Sequence, residues 1–395
     1  MRIVHPKLTR VTPERWRLRS PILAKPRSKS QFQFSRIVDT QTPIPGCPGF
    51  FNRLGFGAIS TGVTPKNTAA NRRMVFWGGN EYGYSGIYQV DSSGIKVVVD
   101  SQKCLPDQPH RFALFGSAPG FDDDKIIFLA QDDTAQIQLY QDIHYRLTSL
   151  VSTGQQVLGD RFINLSNPVA CGRSIAFLAR LESTEQKGLF LYHDRAIVAV
   201  AYQRLAGPFL EDLSEPDVDQ AGNVVFCGQD REHRPGLYRY ANQQVNCIVT
   251  TQTPIPGGIG TFTRFSTPTV IGPLTTFLGR GRLMQQGLYQ MGPNGLQAVV
   301  DVHTRMPASL EPFSRFQTFA MAGDRIAFLA GSEGGCFGLF LAEGRQISKV
   351  IEVGDRLDDA TVVSLHLGRK GLSDTALVFK ARFQDGTQAL FQAEG

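Results

Sequence analysis

Seven histidines, six cysteines and 35 carboxylates are available for chemistry in this chain of 395 residues, and their spacing assembles no common catalytic signature. G-x-S-x-G, G-x-G-x-x-G after a strand, G-x-x-x-x-G-K-[ST] and H-E-x-x-H are all missing, which removes the usual marks of serine hydrolases, nucleotide binders and zinc proteases. The histidines (His5, His110, His144, His193, His233, His303, His366) are scattered, with no pair at metal-ligand spacing. The cysteines (Cys47, Cys104, Cys171, Cys227, Cys247, Cys336) form no C-x-x-C, so they read as core or loop thiols rather than zinc or redox ligands. The acidic run Phe121-Asp122-Asp123-Asp124 lacks the alternating oxygen ligands and the glycine of a calcium loop and reads as a solvated hairpin turn. No catalytic residue, metal site or cofactor is expected from these patterns.

The elements that position these residues repeat. Short apolar runs ending in Phe recur at Phe76, Phe128, Phe177, Phe226, Phe277, Phe328 and Phe379, with gaps of 49 to 52. Each lies in a β-rich run such as MVFWG or IAFLA, and about ten residues later comes a second signature such as Gly86-Ile87-Tyr88 or Gly287-Leu288-Tyr289. A third apolar run follows after a turn, and one more short strand precedes each Phe. Four antiparallel strands in a unit of about 50 residues, seven times over and with no helical pattern between them, predict an all-β, seven-bladed β-propeller.

The ends of the chain agree with that count. The last unit stops at Gln388-Ala389-Leu390-Phe391-Gln392 without an outer strand, whereas the first is preceded by an unattached strand, Phe34-Ser35-Arg36-Ile37-Val38. The N-terminal strand is expected to pair into the last blade and close the ring, leaving no open edge. The domains are therefore a basic, proline-containing arm over 1–33 and the propeller over 34–395. The heptapeptide TQTPIPG, at 40–46 and again at 251–257, then falls on equivalent connections from an outer strand to the next inner strand, four blades apart. Its prolines are expected to carry it across as an extended piece that avoids ladder pairing, and its glycine to turn it inward.

In a propeller the inner strands converge on the axis, where several blades could share a site. Aligned on the repeating Phe, the inner-strand residue is Ser60, Ser117, Ser166, Ser214, Ser266, Gln317 or Ser364, small side chains that suit the taper. Glu215 and His366 are their only titratable neighbours. An axial pocket built on Ser214, Glu215, Ser364 and His366 is the place for the alternative function, an enzyme or a sugar or small-ligand binder, because acid–base work needs paired groups of separated pKa.

The motif D-T-x-T-P-I-P-G, followed by Gly-x-Gly-x-Phe, an apolar strand and G-[LI]-Y, resembles a family of bacterial β-propeller repeat proteins, frequent in cyanobacteria, whose function is unsettled. Asp39–Gly46 and Thr251–Phe262 match it; the other five connections depart from it, as at Ser101–Leu105 and Thr304–Pro307. The resemblance covers 34–395, implies the propeller fold and carries no catalytic residue across. Relatives often look exported, but here a basic arm stands where a signal would, and that location is not carried over.

Charge is concentrated in the arm. Residues 1–30 hold nine of the 41 Lys/Arg and one of the 35 Asp/Glu, so 32 bases and 34 acids remain for the rest. No run of 18 apolar residues and no apolar h-region occurs, so neither a membrane span nor a secretory signal is expected and the location is read as cytoplasmic. The arm interleaves its cations with eight large apolar residues, while Pro6, Pro13, Pro21 and Pro26 forbid a continuous helix. Arg and Trp anchor many interfaces, which marks Arg15, Trp16, Arg17, Arg19, Lys25 and Arg27 as partner-binding residues. The body offers no basic stripe for phosphate tracking, so an acidic protein complex fits better than nucleic acid, and no self-assembly is required. The expected function is a non-enzymatic scaffold docked to an acidic multi-subunit assembly. Given the cyanobacterial resemblance, its most specific form is a linker or accessory subunit of a phycobiliprotein light-harvesting antenna.

Overall fold

A computed structural model describes residues 32–59, 73–106, 108–122, 124–202, 211–307, 309 and 311–395, with the side chain of Glu215 outside that set. Seven antiparallel sheets follow one another along the chain and form a seven-bladed β-propeller. Blade 5 shows the plan: an inner strand Phe262–Ile271, then Leu274–Gly281, Gln286–Gly292 and an outer strand Gly295–Asp301, each hydrogen-bonded to the next. The outer strand of blade 7 comes from the other end of the chain. Gln33–Asp39 pairs antiparallel with Gln388–Glu394, and Val38 lies opposite Leu390, as the sequence predicts.

The repeating Phe forms the centre of every blade. It is 0 or 1% exposed at all seven positions and lies directly across the ladder from the aromatic residue of the second signature. The seven ring pairs are stacked, with centroids 5.5 to 6.0 Å apart and planes inclined by 19 to 30°. Stacking beyond simple burial accounts for a preference for aromatics at both positions. A third ring caps five of the stacks edge-on: Phe51, Phe112, Phe162, Phe262 and Phe313 approach at 4.9 to 5.2 Å. In blade 7 Val362 holds that place and Phe383 supplies the edge contact to Phe391 instead.

The TQTPIPG connections are equivalent, but they are not unpaired. Each folds into a miniature hairpin: Pro43 bridges Phe50 and Pro254 bridges Thr261. Ile44 N–H donates to Gly49 O at 3.1 Å, and Ile255 N–H to Gly260 O at 3.0 Å. Gly46 and Gly257 have φ of +74° and +72°, a left-handed turn that glycine adopts without strain. The prolines leave the isoleucine amides free to pair, so the two Ile side chains are driven into the core between blades. Leu105, Val157, Met306 and Leu357 are buried at the same place in connections that lack the motif.

Closure is reinforced by Arg36, which binds Asp39 at 2.8 Å and Asp358 of the preceding connection at 2.9 Å, with its guanidinium 5.7 Å from the Phe391 ring. Burial pushes the Asp39 carboxyl up, but the Thr42 hydroxyl and Arg36 outweigh it and hold the pKa below the usual value. A depressed folded pKa contributes stability that is complete above the unfolded pKa and lost as pH falls through the folded one. The protection of the strand Gln33–Asp39 against amide exchange, relative to intrinsic rates at each pH, should therefore fall more than that of Phe262–Ile271 as pH drops from about 5 to about 2. An equal fall in protection would show that the clamp does not hold the closure.

Candidate functional site

In blades 4, 5 and 7 the inner strands break at one depth, and the breaks bring charged groups to the axis. In blades 4 and 5 the ladder slips between Ser214 and Asp217 and between Ser266 and Thr269, the segments that contain Pro216 and Pro268. A proline cannot donate to the ladder, so its neighbours lose their partners there. In blade 7 the thirteen-residue inner strand Ala360–Leu372 slips between Leu367 and Leu372. Arg369 and Lys370 lie in that slip and reach across the ring. Arg369 donates to Pro216 O at 3.3 Å and to Pro268 O. Lys370 Nζ lies 2.9 Å from the carboxylate of Asp217, which is 1% exposed and also accepts Val270 N–H at 3.0 Å. Blade 7 is thereby tied to blades 4 and 5, and the axis is crossed by a cationic pair, although the buried Nε of Arg369 has no hydrogen-bond partner among the described residues. Beside it, burial and, against it, Lys370 set the thiol of Cys171, which is pushed up to about 12 and is an unreactive neutral group.

The four expected axial residues are distributed over this frame. Ser214 faces Cys227 in blade 4, and Glu215 follows it in the same strand. In blade 7 Ser364 lies opposite Arg382 and His366 opposite Lys380, two rungs apart. Among the described residues no hydrogen bond or ion pair joins the two sets. Burial, then the charge of Lys380, lowers the pKa of His366 and keeps its imidazole neutral near pH 7. Lys380 itself donates to Leu54 O at 3.0 Å, a bond between blades 7 and 1.

The register also redraws the serine ring. Residues equivalent to Ser166 and Ser266, judged by their partners on the second strand, are Gly55, Gly116, Ser214 and His366, while Gln317 is the extra residue of a bulge. Spacing from the Phe misplaces Ser117 and Ser364 because the inner strands carry bulges whose length varies. Ser60 lies outside the described residues, as do Arg15, Trp16, Arg17, Arg19, Lys25 and Arg27. Of the acidic run, Asp122 pairs with Lys125 across a hairpin, yet it is 5% exposed rather than solvated and accepts Gly172 N–H from blade 3. Asp124 pairs with Arg73. None of the six cysteines is disulfide-bonded. Sequence reasoning missed Asp217, Arg369 and Lys370; the signal was two adjacent cations inside an otherwise apolar strand, LHLGRKGL.

A closed ring with a bridged axis defines the class: a β-propeller. A family model matches residues 74–374, and the chain belongs to that family, DUF7453, described as a family of unknown function. Comparison with curated proteins finds no match. Among solved structures, a prolyl endopeptidase is similar at 12% identity with a TM-score of 0.50, over 86% of this chain and 50% of that one. A puromycin-hydrolysing peptidase of Mycobacterium tuberculosis gives 11% and 0.47, over 84% and 50%, and the β-propeller domain of the Trilobed protease from Pyrococcus furiosus gives 9% and 0.46, over 72% and 82%. This chain spans half the length of the two peptidases, and the likeness is one of fold. Among the described residues no helix is long and apolar enough to cross a membrane.

Proposed function

We propose that the chain is a non-enzymatic interaction scaffold, a closed propeller docked in the cytoplasm to an acidic multi-subunit assembly through the basic residues that precede its closure strand. The observation that carries this reading is the charge division: nine bases against one acid in residues 1–30, beside a remainder with 32 bases and 34 acids. The bridge of Arg369 and Lys370 supports it, because these two cations and Asp217 are engaged in holding blades together. Opposite charge steers association and makes it salt-sensitive.

The test compares the full chain with a variant in which Arg15, Arg17, Arg19, Lys25 and Arg27 become Gln and Trp16 becomes Ala. The wild-type chain should retain an acidic assembly from native extract and release it as salt is raised, while the variant loses it with an unchanged melting temperature. Retention of the same assembly at the same salt would overturn the reading. In its most specific form, with a phycobiliprotein antenna as partner, the captured material carries visible bilin absorbance.

A further inference from the structure

One rung of the inner hairpins, at the end where the blade-to-blade connections lie, is occupied by arginine in five of the seven blades. In register, Arg53 faces Gly79 in blade 1, Asn164 faces Arg180 in blade 3, Arg264 faces Arg280 in blade 5, Arg315 faces Gly331 in blade 6 and Ser364 faces Arg382 in blade 7. All six arginines are exposed. Among the described residues only Arg53 has a partner for its side chain, the Asn80 carbonyl and the Trp77 ring, and none of the six makes an ion pair. Some arginines elsewhere on the body do hold carboxylates, Arg36, Arg234 and Arg325 among them. In blade 4 the same end carries Asp212, held by Gln229 at 3.1 Å.

Like charges set directly opposite each other in a sheet are destabilising, and Arg264 and Arg280 are such a pair. Next to them is an apolar feature. A groove of about 650 Å³ between blades 5 and 6 is lined by Leu283, Met284, Val302, Phe313 and Arg315, with the carboxylates Glu311 and Glu333 also facing it. Leu283 and Met284 are 83% and 75% exposed, and both have positive φ, so two apolar side chains are presented at the turn in a conformation such residues rarely take.

We propose that this arginine rung, together with the blade 5–6 groove, binds an acidic polypeptide segment of a partner protein, with carboxylates on Arg264, Arg280 and Arg315 and an apolar side chain in the groove. Charge complementarity selects the acidic residues, because guanidinium forks bind carboxylates bidentately. The groove selects a polypeptide over a phosphate chain, which has nothing apolar to place there. The proposal does not rest on the basic N-terminal segment: it concerns a surface of the propeller itself.

The test uses the full chain and a fluorescein-labelled twelve-residue peptide of Glu and Leu, read by anisotropy. To remove the N-terminal contribution, every protein also carries Arg15, Arg17, Arg19, Lys25 and Arg27 changed to Gln. Changing Arg264, Arg280 and Arg315 to Gln should weaken binding about tenfold or more, in proportion to three lost charge contacts. Arg280→Glu should weaken binding while raising the melting temperature, since a carboxylate then faces Arg264; a purely structural arginine would not move the two readouts in opposite directions. Replacing the peptide's Leu by Ser should also weaken it. Undiminished affinity in the triple Gln variant would overturn the proposal. So would equal competition by a DNA oligonucleotide of the same charge, which would mark the surface as a generic anion site. Because the readout is a peptide affinity, its failure leaves the capture experiment above standing, and the reverse.

Discussion

Phe277→Ala is expected to lower the unfolding free energy by about 3–5 kcal/mol, a large part of the about 5–15 kcal/mol available to a folded domain. The side chain is fully buried, stacked on Tyr289 at 6.0 Å and met edge-on by Phe262 and Phe265, both at 5.8 Å. Its removal leaves a hole walled by three rings whose backbones are fixed by ladder hydrogen bonds, so the space cannot collapse, and the cost lies toward the upper end. Phe265→Ala, at 8% exposure near the rim, should cost less. Denaturant midpoints at a constant slope provide the measurement. Because the ring is closed by Gln33–Asp39, the far-UV signal and the tryptophan signal from Trp77 in blade 1 should shift together. If only the far-UV signal shifted, blade 5 would unfold alone and the closure would not couple the blades.

The repeat was legible because each blade repeats one physical solution. Strand and aromatic periodicity specify the Phe277–Tyr289 type of stack, and a strand without a sheet at one end of the chain matches a sheet without a strand at the other. The connections were legible in place but not in shape: nothing in TQTPIPG distinguishes an extended crossing from a hairpin that hides Ile44 against the core, since both need the prolines and the glycine. The axis was read poorly. Counting back from the Phe treats the inner strand as regular, and the bulges at Pro216, Pro268 and Arg369 are what bring charge there. The arginine rung was hidden for a related reason. Arg264 and Arg280 are sixteen positions apart, and only the register of the hairpin makes them neighbours that also align with Arg315 and Arg382.

The axial bridge yields an ordered pair of outcomes. Lys370→Met should cost about 3–5 kcal/mol, because it leaves the carboxylate of Asp217, 1% exposed, without its counter-charge. Asp217→Asn should cost less, about 1–3 kcal/mol: the amide oxygen still accepts the Val270 N–H, and Lys370, with 26% of its side chain exposed, turns toward water. The asymmetry follows from where each charge sits, not from the bond between them, which is the same in both cases. The double variant should be milder than the sum of the singles, with a coupling of about 0.5–3 kcal/mol, since the second change removes the group that the first stranded. Melting curves of the three proteins at one pH and salt decide it. A larger loss for Asp217→Asn than for Lys370→Met would mean that the cation, rather than the carboxylate, is the desolvated partner at the axis.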